Sequence, residues 1–464
     1  MKQKKITYML FPLAGVIFCL WYLYAATADG IYSDYVRLVN SYLPDVANPK
    51  KFFVPDILTR IPITYLGRII NVTLFDYNLL FDRVLGVMGL GLSGVVLGLY
   101  CRERNVNLIW YGIITVLMFS LNKWEMLVNG SGWPHFLAFA GFYLHYLFLD
   151  RIWREEEKGK DRNWLFLLPF LITLLTAGPY CASYSATIMI ACGFCIICKY
   201  RKNKKIDKQY LQYIMCTLIP LLLYMWSNSM AINDHAAPAA NDSLLVQLME
   251  TPGFFVRFLL KSFSSMVIGY EQAIILFKTN GPYIVLGFFV FAAYLTALWM
   301  NFRHRIYEQT IFPLMLLVSG GINHVLILLS RWIFLNETYG ASSRYALQFQ
   351  VGILGIILTF AFVWKQSAEQ KKIGLFLRRL LMVFFCTLFL GGNCYTTHAE
   401  IKQAPHRKQS YEDRGKLAQN FENLTDDQLR QKFEYRKTQD NSGELVRNAL
   451  TILKENGLSV FRSN

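Results

Sequence analysis

The sequence predicts an all-α fold: a polytopic integral membrane protein with about eleven transmembrane helices, amphipathic helices in its outer loops and a small helical C-terminal tail. Three observations predict it. Long apolar stretches recur up to about residue 396, each near the roughly 20 residues that a bilayer crossing needs. Charged residues are confined to the gaps between them. Composition agrees, with 54% hydrophobic, 16% aromatic and only 17% charged residues. Hydrocarbon offers no water to an unpaired backbone group, so runs of this length form helices that satisfy themselves. The membrane signal overrides the prior of about three soluble domains for a chain of 464 residues.

The first span runs near 7–27, behind the basic start Lys2, Lys4 and Lys5. Its apolar stretch exceeds a signal peptide's usual 7–15 residues, so it reads as a retained signal anchor, with AATADG leaving cleavage open. A first large outer loop, 28–80, leads to spans near 82–100, 106–121 and 135–149, then 164–178, 184–198 and 209–227. A second large outer loop, 228–282, precedes spans near 283–300, 311–334, 346–364 and 380–396. Together, 1–396 form the transmembrane domain. Arg102, Arg104, Arg151, Arg154, Lys158, the six basic residues of 199–208, Arg303 and Arg305 all fall on one side. The short turns of the other side carry only Lys123 and Arg344. Positive charge marks the cytoplasmic face, so the N-terminus is expected inside and, after an odd number of crossings, the C-terminus outside.

The tail, 397–464, is polar. LTDDQLRQKFEY reads as a short helix. SGELVRNALTILKENG reads as another, with Ser442 as cap, Leu445, Ala449, Leu450 and Leu453 as its apolar stripe and Gly457 as its stop. The net charge of +16 fits basic loops attracted to anionic headgroups at about 1 kcal/mol each, so the partner expected is the lipid bilayer and not nucleic acid. Cys192, Cys195 and Cys198 form a CxxCxxC inside an apolar helix, where small core residues explain them better than a metal site. Walker, HExxH and GxSxG patterns do not occur.

Chemistry is therefore sought on the outer side. Asp29 and Asp34 follow the first span; either carboxylate would serve as a general base, or would simply end a helix or sit solvated in the loop. Ile57, Ile61, Leu66, Ile69 and Ile70 recur at helical spacing around Arg60 and Arg68, which suits a helix lying flat on the outer leaflet. Lys51 and Arg60 are basic on the side where positive charge is disfavoured, as a held phosphate or mere solvation would explain. Trp124 and Glu125 crowd a short turn, either as a sugar-stacking surface with one carboxylate or as interface anchors. Arg331 closes one span and Arg344, followed by Tyr345, opens the next; each guanidinium would bind phosphate or snorkel to headgroups.

The layout, with Ser33–Asp34–Tyr35 in a large first outer loop, Trp124–Glu125 in the second outer turn, Arg344–Tyr345 opening a late span and the closing LKENGLSVF, resembles the GT-C class of bacterial multi-pass membrane glycosyltransferases. Asn48–Pro49–Lys50–Lys51 followed by Pro55 resembles only loosely the Asn-Glu-His-Arg-like stretch of some members, and lacks its Glu-His pair. The resemblance implies transfer of a sugar from a polyprenyl-phosphate donor to a cell-envelope glycan acceptor, on the outer face of the bacterial cytoplasmic membrane. It implies Asp34, or Asp29, as the catalytic carboxylate. Arg344, Arg60, Lys51 and Arg331 would hold the donor phosphate, and Trp124, Glu125 and Tyr345 the substrate. No protein metal site is expected, although a divalent cation would be compatible with such transfer. A lipid-linked glycan flippase, a small-solute transporter and a non-enzymatic envelope assembly protein are the alternatives.

Overall fold

The computed structural model describes residues 2–53, 61–229, 239, 242–368, 374–435 and 441–462; of these, no side-chain account extends to 2–6, 52–53, 367–368 or 374–375. All regular structure among the described residues is helical. The first helices are α1 (Lys2–Ala26), α2 (Asp34–Tyr42), α3 (Ile63–Phe75), α4 (Leu79–Glu103) and α5 (Leu108–Met118). They continue through α6 (Trp124–Asn129), α7 (Trp133–Trp153), α8 (Asp161–Leu171), α9 (Cys181–Asn203) and α10 (Lys208–Asn228). Next come α11 (Leu244–Glu250), α12 (Pro252–Ser264), α13 (Tyr270–Phe277), α14 (Asn280–Arg303) and α15 (Ile306–Gln309). The last are α16 (Phe312–Arg331), α17 (Ala346–Ala368), α18 (Gly374–Gln419), α19 (Asp426–Lys432) and α20 (Ser442–Glu455).

Every expected span falls on a helix, and eight helices are long and apolar enough to cross a membrane: α1, α4, α9, α10, α14, α16, α17 and α18. The other three expected spans fall on α5 and α8, each 11 residues long, and on α7, which carries His135, His145, Asp150 and Arg151. A π-helical turn, Ile172–Thr176, extends α8. The apolar window of α17 is wholly buried, as for a helix enclosed by the rest of the bundle. Without a hydrophobic drive between helices, close backbone packing supplies the contact. Gly320 of α16 and Gly352 of α17 meet so closely that a Cβ on Gly320 would lie 2.5 Å from the Gly352 Cα. At Gly89 of α4 a Cβ would lie 2.8 Å from the backbone N of Leu137 in α7.

At one end of the bundle, ion pairs tie the basic loops. Arg151 bridges Glu103 at 2.7 Å and Asp161 at 3.1 Å, and Arg154 meets Asp150 at 2.8 Å. Asp150 is fully buried and accepts the Thr310 hydroxyl at 2.6 Å and the Ile311 N–H at 2.7 Å, satisfying donors at the start of α16.

At the other end stands a second body, the head. Helix α18 has 46 residues, about 69 Å at 1.5 Å per residue, against a hydrocarbon core of about 30 Å. The composition change at 397 does not interrupt it. Its far end packs with α2, α19 and α20 around a separate core of Tyr35, Val36, Val39, Leu429, Phe433 and Leu450. Thr425 and Gln428 close a capping box at α19. Asn441, not Ser442, occupies the N-cap position of α20, without a side-chain capping bond; Ser442 is the first helical residue and is buried, and Gly457 follows the helix at φ 62°. Backbone bonds stitch loop to tail: Ser33 N–H donates to the Phe433 carbonyl at 2.9 Å, and Ser459 N–H to that of Asp76 at 2.7 Å.

Helix α3 is turned inside out. Arg68 and Asn71 are buried, whereas Leu66, Ile70, Leu74 and Phe75 are exposed. A helix with its apolar face outward fits a lipid surface. Ile57 and Arg60, which belong to the same expected helix, lie outside the described residues.

Candidate functional site

The head meets the bundle at the turn Leu121–Asn129. Helix α5 ends at Met118, and Lys123 folds back beneath the turn. Lys123 is fully buried with no ion pair among the described residues; its Nζ donates to the carbonyls of Met118 at 2.8 Å and Ser120 at 2.9 Å. Burial lowers its pKa to about 7, and an uncharged amine has two N–H groups for those two carbonyls. Helix α18 supports the turn from the side: Ser120 Oγ donates to Asn393 at 2.8 Å and the Leu121 N–H to Thr397 at 3.1 Å. Arg83, also buried, reaches across from α4 to the carbonyls of Val128 at 2.7 Å and Ala28 at 2.9 Å, under the Tyr411 ring.

This scaffold presents Trp124 and Glu125. Glu125 and Arg344, 219 residues apart, form an ion pair through the Arg344 Nε. Glu125 also accepts the hydroxyls of Ser343 at 2.9 Å and Ser342 at 3.5 Å, while Ser342 caps the turn that carries Arg344. The Arg344 side chain stays 47% exposed. Its two terminal nitrogens have no hydrogen-bond partner among the described residues. Asp34 is the first residue of α2, half-buried and without hydrogen bond or ion pair among the described residues. Its charge acts on Arg344 together with that of Glu125. Tyr32 stands in the same field, its hydroxyl 2.9 Å from that of Tyr411. Burial, and then Tyr411, hold the Tyr32 phenol well above its usual pKa, so it stays protonated.

Beside this pair lies a cluster the sequence did not point to. Arg407 of α18 stacks over Trp124, its guanidinium carbon 3.3 Å from the ring centroid. It grips Glu400, a fully buried carboxylate, through Nε at 2.9 Å and Nη2 at 3.1 Å. Gln272 and Tyr22 also donate to Glu400, and Glu271 lies 3.5 Å from Arg407. One face of Trp124 is thus covered.

The remaining expected residues lie apart or are engaged. Asp29 accepts Arg462 at 2.8 Å and the Leu79 N–H at 3.2 Å, fastening the tail to the start of α4. Lys51 pairs with Asp45 at 3.4 Å and the Ser41 carbonyl at 3.1 Å. Arg331 sits 5.9 Å from the rings of Phe334 and Tyr339, and within reach of Tyr345. Tyr345 is buried against Phe349. Tyr180 packs on His135 at 4.6 Å and lies in the field of Arg331 and Arg344. Arg60 lies outside the described residues. The cysteines Cys192 and Cys195 are buried in α9 and free.

A guanidinium held through Nε, in the electrostatic field of a carboxylate that has no hydrogen bond or ion pair among the described residues, supplies an anion-binding group and a proton acceptor to the same region. Comparison of the chain with family models, curated proteins and solved structures gave no match.

Proposed function

We propose that this protein is a GT-C-type glycosyltransferase of the bacterial cytoplasmic membrane, crossing it about eleven times with the head outside. It moves a sugar from a polyprenyl-phosphate donor to a cell-envelope glycan. The observation that carries the proposal is that Asp34, without a hydrogen bond or ion pair among the described residues, lies in the electrostatic field of Arg344, which Glu125 anchors through Nε. Asp34 takes the proton of the acceptor hydroxyl as that oxygen bonds to the anomeric carbon. The anomeric C–O bond to phosphate breaks, and the electron pair leaves with the polyprenyl phosphate. Arg344 stabilises the charge that develops there. With one base and direct displacement, the anomeric configuration inverts.

General-base catalysis contributes about 10²–10⁴-fold. Asp34→Asn therefore lowers transfer of labelled sugar from a synthetic polyprenyl-phosphate donor in isolated membranes by at least about 10²-fold, with the protein's abundance unchanged. Full activity of the variant removes Asp34 from the mechanism.

One observation favours a second reading, a flippase or small-solute transporter. Within the bundle, His145 Nε2 and the hydroxyls of Thr173, Ser183 and Ser185 are buried without hydrogen-bond partners among the described residues. Polar groups lining a path would be in that condition before a solute arrives. A His145→Phe variant that loses envelope glycan, beside an Asp34→Asn variant that keeps it, would select transport.

A further inference from the structure

The inversion seen in α3 recurs twice in the second outer loop. Helix α13 fully buries only Gln272 and Ala273 and exposes Ile274, Ile275 and Leu276, Ile275 by 71%. Helix α11 buries no side chain; Leu245, Val246, Leu248 and Met249 are all exposed, Met249 by 76%. Against water, a helix packed on a protein turns its apolar residues inward and its polar residues outward. The opposite arrangement is stable with hydrocarbon outside.

A shared carboxylate fixes the depth of α13. Gln272 donates to Glu400 at 2.5 Å and Tyr22 of α1 donates to it at 3.4 Å, so α13 lies level with Tyr22. Trp21 and Tyr24, on either side of Tyr22 in α1, are exposed, and Lys408 Nζ stands 4.6 Å from the Tyr24 ring. Exposed Trp and Tyr at the end of a span, with a lysine beside them, mark the headgroup layer. Chain connections agree. Only Lys278 and Thr279 separate α13 from the span α14, and only Thr251 separates α11 from α12, which packs on α14. Shortly before α11, the Ala239 N–H donates to the Ile333 carbonyl at 3.0 Å, just past the end of α16.

A second copy of the chain would dock through one patch. The three inverted helices rest on different parts of the bundle. A Cβ on Gly67 of α3 would lie 2.8 Å from the Trp133 ring of α7, whereas α13 joins α14 and bonds to α18. The bilayer surrounds the bundle and reaches all of them.

We infer that α11 and α13, with α3, form a collar of interfacial helices that lies in the headgroup layer and buries its apolar faces among the acyl chains of that leaflet. The partner of this surface is phospholipid. Through Gln272, Glu400 and Arg407 the collar also ties Trp124 to headgroup depth. The collar does not depend on the transferase proposal.

The test is quenching of an environment-sensitive NBD label on the full-length protein, one copy per nanodisc. A Cys394→Ser background removes the exposed natural thiol, and the signal of that background is subtracted. Labels are placed at Ile275→Cys and Met249→Cys. Phe288→Cys on α14 serves as the hydrocarbon control and Lys432→Cys on α19 as the water control. All four positions are exposed, so the substitutions leave the packing intact. Phospholipid brominated along its acyl chains quenches both collar labels about twofold or more, as at Phe288, while iodide quenches them far less than at Lys432. Iodide quenching equal to that of Lys432 at either position overturns the inference. So does a label that neither reagent reaches, because protein and not lipid then covers that face.

Discussion

Glu125 sets the position of Arg344 through three contacts with three consecutive residues, Ser342, Ser343 and Arg344, while Ser342 caps the Arg344 N–H at 3.4 Å. An exposed ion pair alone contributes at most about 1 kcal/mol, so its importance is direction, not stability. A hydrogen bond to a charged group contributes about 1.5–3 kcal/mol, so Glu125→Gln is expected to lower transfer about 10- to 100-fold with little change in melting temperature. Arg344→Lys, which keeps the charge and loses the fork, should not restore it. Lys123 gives a pH signature. Its folded pKa of about 7 lies below the 10.5 of an ordinary lysine. Between these values the unfolded chain binds a proton that the folded protein lacks, so stability rises with pH across that window, by at most about 1.4 kcal/mol per unit. Thermal unfolding in detergent at about pH 7 and pH 9 should show the gain in the natural protein and a smaller one in Lys123→Met. Trp124, Glu125 and Arg344 were visible in the sequence because a charge in a short turn between apolar runs has few reasons to be there. Glu400 and Arg407 were not, because in a polar stretch a charged residue reads as solvated; only the packing of α18 against α1 and α13 buries Glu400.

At the scale of elements, period and capping located the helices of the tail, and hydropathy located those of the bundle. Their ends followed less well. The expected span 106–121 stops at Met118, since Ser120 and Leu121 turn the chain onto α18. Helix α18 runs through a change of composition that hydropathy reads as an end, because helix propensity and packing on the head continue after the apolar residues cease. Where α19 meets α20 the approach is close: a Cβ on Gly443 would lie 2.3 Å from the Asp426 carbonyl oxygen. Gly443→Ala should therefore loosen α20 by about 1–3 kcal/mol and speed proteolysis of the tail while the bundle stays intact. A spin label at Leu74→Cys, on the outward apolar face of α3, should be more accessible to oxygen than to a water-soluble nickel chelate; the reverse would take α3 off the lipid.

For the whole molecule, the first loop and the tail form one body. Tyr35, Val36 and Val39 share a core with Val446, Leu450 and Leu453 across some four hundred residues of bundle. Such a pairing of distant segments leaves no local pattern, so it was not legible, although the apolar stripe of the tail helix was. The head in turn sets Asp34 of α2 in the electrostatic field of Arg344, so the candidate site depends on the tail without containing its last helix. The central claim is that Asp34 and Arg344 together transfer a sugar to the envelope glycan. Its most direct test is the sugar composition and mass of that glycan from cells lacking the gene and complemented with the natural protein or with Asp34→Asn at equal abundance. The account predicts a sugar missing without the gene, restored by the natural protein and still missing with Asp34→Asn. The same glycan from all three strains would contradict it.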